Sequence, residues 1–124
     1  MTFGLRPIRR SCGMVNVTFF EDSRQRLSSF SAAGHVEIPE TSADEYSLVC
    51  AAISAVLQAA RAGLEEVAKV SIEVTMERGD MRVSWPEAAR DDVAVQTIAA
   101  TARVAVEQIA SQYPQHATSR RQTG

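Results

Sequence analysis

Hydrophobic and polar positions alternate along much of this chain. Val15, Val17 and Phe19 are separated by Asn16 and Thr18, the period-two pattern of a strand with one buried face. The polar run EDSRQR, residues 21–26, reads as a turn, and a Ser-rich second strand over Leu27–Ala33 completes a hairpin. A polar loop containing proline, HVEIPETSADE, follows over 35–45. From 46 to 62 the period lengthens: Val49, Ile53, Val56 and Ala60 share one stripe of an amphipathic helix, which Gly63 is placed to end. Val70, Ile72 and Val74 then alternate with polar residues, Glu77-Arg78-Gly79-Asp80 makes a turn, and Met81, Val83 and Trp85 complete a second hairpin before Pro86. A long helix is expected over about 88–112, with Val95, Ile98, Ala102, Val106, Ile109 and Tyr113 on one face and Pro114 closing it.

The expected order is therefore ββαββα. It implies an α+β fold, an antiparallel-rich sheet with two helices packed on one face. The patterned sequence runs over 14–117 as a single domain, between a flexible extension at 1–13 and a disordered tail at 118–124.

Composition narrows the classes. At 124 residues and 45% hydrophobic, the chain holds one core and not two. Two cysteines and two histidines fall short of a four-ligand zinc site, so neither metal nor cofactor is expected. A disulfide between Cys12 and Cys50 is not expected either, and the chain reads as cytoplasmic. No run of about 18 apolar residues suggests a membrane span. The net charge of -2 argues against general nucleic-acid binding. That charge is uneven: residues 35–92 carry 12 acids and 5 bases. Such a block is first a solvated surface, and second a match for a basic partner.

Candidate chemistry centres on Cys50 and His35. If Ser47 is the N-cap, Cys50 sits in the first helical turn, where the macrodipole and unpaired N–H groups favour a thiolate and an oxyanion. The rival start, a capping box of Ser42 with Glu45, puts Cys50 deeper and weakens both effects. Taken alone, a cysteine in an amphipathic helix is a small core residue. His35 follows Gly34 at the end of the second strand, where glycine permits a sharp turn. A strand-end histidine and a helix-start cysteine, if the loop folds back, supply base and nucleophile for acyl transfer. His116 lies near the end of the chain and receives no role.

Gly34-His35, a polar loop, and the run Leu48-Val49-Cys50-Ala51-Ala52-Ile53-Ser54 together resemble the ribosomal-processing cysteine protease family, Prp. That family carries Gly-His-Ala, a glycine-rich loop and an Asp-[Ile/Val]-Val-Cys-Ala-Ala-[Val/Ile]-Ser helix start. The opening VNVTFFEDSRQRLSSFSAAGH and the ending QIASQYPQH extend the resemblance over about 14–117. It implies a homodimeric cysteine endopeptidase that removes an N-terminal extension from large-subunit ribosomal protein twenty-seven. His35 would be its base and Cys50 its nucleophile, with Gly34, Ser47 and Ser54 in support. The sequence departs from the pattern at Val36 and Ser47, which replace Ala and Asp, and in a longer loop over 36–47 with Ile38 and Pro39 but no glycine. The alternative is an inactive family member that holds a ribosomal or other basic protein.

Overall fold

The computed structural model describes residues 14–34, 45–77 and 79–124. Its elements are β1 (Val15–Glu21), β2 (Leu27–Ala33), α1 (Glu45–Ala62), β3 (Glu73–Glu77), β4 (Asp80–Ser84), α2 (Val93–Gln112) and β5 (Ala117–Thr123). The expected extension at 1–13, and the loop from His35 to Asp44, lie outside the described residues.

The strands form one sheet in the order β3-β4-β2-β1-β5, antiparallel except where β5 runs parallel to β1. Register explains the core. Phe19 pairs with Phe30, which pairs with Val83, and Val17 pairs with Ala32, which pairs with Met81. Each row therefore presents apolar side chains to the same face, as period-two alternation requires. Both helices cover that face: Val49, Ile53 and Leu57 of α1 and Val95, Ala99 and Val106 of α2 are buried in one cluster with it. Phe19, Phe30 and Trp85 form a tilted aromatic ladder, with ring centroids 5.6 and 6.2 Å apart. The α+β class, the two hairpins and the two helices on one face are as the sequence implies.

Several boundaries differ. The expected tail at 118–124 is not disordered: most of it is β5, which pairs along all of β1. Its closing bonds run from Val15 N–H to His116 O at 2.8 Å and from Gly124 N–H to Glu21 O at 3.0 Å. Strand β3 starts at Glu73, so Val70 and Ile72 lie in the link before it. Gly63 does not stop the helix. The chain continues as a π-turn over Gly63–Val67, closed by Ala68 N–H on Gly63 O. A Cβ at Gly63 would stand 3.4 Å from Ile98 on α2, an ordinary packing distance. The stretch 45–67 is long and apolar enough to cross a membrane by length and composition, but its apolar stripe is part of this core. Helix α2 begins at Val93, later than expected, because Asp92 caps it by accepting from Ala94 N–H at 2.8 Å.

Polar side chains lock the first hairpin to α2. Leu27 N–H donates to Gln96 Oε1 at 2.9 Å, and Leu27 O accepts from Gln96 Nε2 at 2.9 Å and Trp85 Nε1 at 2.8 Å. In the turn, Asp22 accepts the N–H groups of Arg24 and Arg26 and pairs with the guanidinium groups of Arg26 and Arg90. Burial raises this carboxyl's pKa, but those donors outweigh it and hold it at about 2. A carboxyl depressed on folding adds stability above its unfolded pKa and loses it as pH falls through the folded one. Asp22→Asn is therefore expected to lower the melting temperature at neutral pH. By thermal unfolding across pH, its deficit should shrink between about pH 4 and pH 2. A deficit that does not change with pH would contradict this account of the turn.

Candidate active site

The end of β2, the start of α1 and the start of β5 converge at one corner. Gly34 closes β2 with φ +85, and a Cβ on it would overlap the Met14 carbonyl oxygen. Only glycine meets both conditions without strain. Its own carbonyl accepts the Tyr46 hydroxyl at 2.6 Å. Tyr46 is the second residue of α1, and Cys50 follows one turn later on the same side of the helix.

Cys50 is a thiol and only 3% exposed. Burial pushes its pKa up, while hydrogen bonding with Ser54 and Tyr46 pulls it partly back. Tyr46, Cys50 and Ser54 thus form a column at i, i+4 and i+8, with the sulfur in the middle. The contact with Ser54 is the one that helical spacing predicts.

Two expectations about this helix need correction. Ser47 is not the N-cap: α1 already begins at Glu45, and Ser47 is its third residue, 4% exposed. Cys50 is consequently the sixth residue, not the third. At that depth its own N–H is committed to the intrahelical ladder. The dipole no longer acts at full strength there, and burial leaves a thiol rather than a thiolate. The start at Glu45 agrees with the deeper alternative, although Ser42 lies outside the described residues.

His35 also lies outside the described residues. Its neighbour Gly34 does not, and the Tyr46 contact ties that residue's carbonyl to the turn of α1 preceding the thiol.

Sequence reasoning gave no site role to Tyr46, Glu45, Gln115 or His116. His116 Nε2 lies 3.2 Å from Glu45 Oε2, and its ring is tilted against that of Tyr46 with centroids 6.0 Å apart. Glu45 Oε2 also accepts from Gln115 Nε2 at 2.8 Å. Tyr46 stands four residues before Cys50, so helical spacing alone signals it. Nothing local signals His116, which is brought in by the turn between α2 and β5. Among the described residues no group of His, Cys, Asp and Glu has the arrangement of a metal site.

A protein-family model described as cysteine protease Prp matches residues 14–118. No curated protein sequence matches the chain. Among solved structures, SMU.848 from Streptococcus mutans is similar with a TM-score of 0.78 and 23% identity, covering 90% of this chain and 99% of that one. The essential ribosomal processing protease Prp from Staphylococcus aureus, in complex with a substrate peptide, is similar with a TM-score of 0.74 and 16% identity, over 87% of this chain and 99% of that one. The same protease with a covalently linked product peptide gives 0.71 and 17%, with the same coverage. At these identities the likeness establishes the shared fold.

A thiol kept neutral by burial alkylates slowly at neutral pH. Iodoacetamide labelling of Cys50, followed by mass spectrometry without substrate, is expected to accelerate as pH rises through 9. A rate already at its plateau by about pH 7 would contradict the raised pKa.

Proposed function

The chain belongs to the cysteine protease Prp family, and from that premise we propose that it is an endopeptidase with Cys50 as nucleophile and His35 as base. Its proposed substrate is a ribosomal protein bearing an N-terminal extension, large-subunit ribosomal protein twenty-seven by resemblance. The Tyr46 hydroxyl carries the reading: it contacts both the Gly34 carbonyl, immediately before His35, and the Cys50 thiol. Gly34, the residue before His35 in the sequence, is therefore tied to the turn of α1 that precedes Cys50.

The raised thiol pKa fixes what the base must do. His35 takes the S–H proton as Cys50 attacks the scissile carbonyl. The oxyanion that forms requires hydrogen-bond donors beside Cys50. The protonated His35 then gives its proton to the leaving amine, and water hydrolyses the thioester to free the acid and restore the thiol. The covalently linked product peptide named for the Staphylococcus aureus relative fits such a route. Ser54 supports the sulfur from the following turn. Ser47 supports the site only as a buried member of the first turn, where the family pattern has Asp. A working thiol requires a reducing compartment, which fits a cytoplasmic location. No cofactor or metal enters this route, and the acidic middle of the chain suits a basic protein partner rather than nucleic acid or a membrane surface.

Wild-type protein, Cys50→Ala and His35→Ala are to be incubated with the extended ribosomal protein of the same organism under reducing conditions, and intact masses measured. The wild type should cleave, Cys50→Ala should not, and His35→Ala should lose about 100-fold or more. An uncleaved substrate would favour the second reading, an inactive member that binds a basic partner, which the deeply buried thiol supports.

A homodimer is proposed as well. Val93 and Val104 stand 78% and 46% exposed in a groove of about 720 Å³ along α2, and Val67, 72% exposed, lines a second groove between α1 and α2. A second copy seated there would cover them. Light scattering should give twice the chain mass for the wild type and a shift to monomer for Val104→Glu. A monomeric wild type would contradict the assignment.

A further inference from the structure

We propose that the Tyr46 hydroxyl is a two-position hydrogen-bond donor, serving the Gly34 carbonyl while Cys50 is a thiol and turning to Sγ when the thiolate forms, so that Tyr46 is a further catalytic residue. This rests on the peptidase reading of Cys50.

A phenol has one O–H and can donate once. The Gly34 carbonyl can only accept, so at 2.6 Å the Tyr46 proton points to it. Toward Cys50 the phenol oxygen is then left as an acceptor, and the thiol supplies the proton of that contact. The arrangement is consistent while the sulfur carries hydrogen. Once the S–H proton passes to the base, the sulfur has nothing to donate and carries a full negative charge at a position only 3% exposed. A charge-assisted hydrogen bond is about twice as strong as a neutral one. The O–H therefore rotates about its C–O bond from the carbonyl to the thiolate. Tyr46 keeps its own proton throughout, and no covalent bond changes except the S–H bond already broken.

The ring must stay still for a rotation of the hydroxyl alone to suffice. It is held by His116, whose imidazole packs against it and meets Glu45 at 3.2 Å. Glu45 is fixed in turn by Gln115, and the His116 carbonyl accepts Val15 N–H at 2.8 Å. The α2–β5 turn and the start of β1 thus position a side chain of α1. His116 and Glu45 are positioning residues, acting on the sulfur only through Tyr46. The lowering effect of Tyr46 on the thiol pKa, against the upward push of burial, has the sign that a donor to the thiolate requires.

Tyr46→Phe keeps the ring and removes the hydroxyl. Three readouts are compared with the wild type: iodoacetamide alkylation of Cys50 at pH 8, kcat and KM on the extended ribosomal protein, and melting temperature. Alkylation and kcat are expected to fall about tenfold or more, with KM little changed. His116→Ala, which frees the ring but retains the hydroxyl, should show a smaller loss in the same direction. It keeps the test decisive if Tyr46→Phe does not fold. Unchanged alkylation and kcat in either folded variant would overturn the proposal, as would a loss seen only in KM or melting temperature. Absence of cleavage by the wild type would sink the peptidase reading, and the alkylation comparison would still report separately whether the hydroxyl supports the thiolate.

Discussion

Gly34 has no room for a side chain, and the corner of the molecule depends on that. Its left-handed backbone turns the chain off β2 against the Met14 carbonyl, and its own carbonyl is left facing α1, where Tyr46 donates to it. One residue earlier or later, alternation would aim the following side chain differently. The same tyrosine stands one helical turn from Cys50, so one side chain relates the strand end to that thiol.

The rest of the fold makes that corner rigid. Rows of apolar residues across β1, β2 and β4 set one face of the sheet, and the two helices bury it. Strand β5 carries few apolar residues and contributes little to this core. Its contribution is positional: by pairing along β1 it delivers His116 to Tyr46, with the His116 carbonyl as the first link of the pairing. At the opposite end of the hairpin, Gln96 and Trp85 satisfy both backbone groups of Leu27 and fix α2 against β2. Both ends of the first hairpin are thus tied to elements distant in sequence.

How much of this was legible depended on whether the pattern was local. Val15, Val17 and Phe19, or Met81 and Val83, alternate because one face is buried, and the sequence displays it. The segment 117–123 shows no such alternation, since it is a polar edge strand whose partner lies about a hundred residues away. Val70 and Ile72 alternate like a strand but pack against the core from the link after the π-turn. At the site, Gly34, Cys50 and Ser54 were visible as a motif, and Ser54 meets the sulfur as its spacing requires. The depth of Cys50 was not visible, because Ser47 and Glu45 are both acceptable near a helix start and only tertiary packing selects between the two registers. His116 was invisible for the same reason as β5.

The central claim is the proposal that His35 serves as the base for Cys50, beside the corner that the Gly34–Tyr46 contact ties to α1. The most direct measurement is an experimental structure of a Cys50→Ser variant with an extended ribosomal-protein peptide bound. The account predicts an imidazole nitrogen of His35 within about 3.5 Å of the hydroxyl oxygen that replaces the sulfur, with the Tyr46 hydroxyl adjoining that oxygen. A His35 ring turned away from that hydroxyl, beyond the reach of even one bridging water, would contradict it.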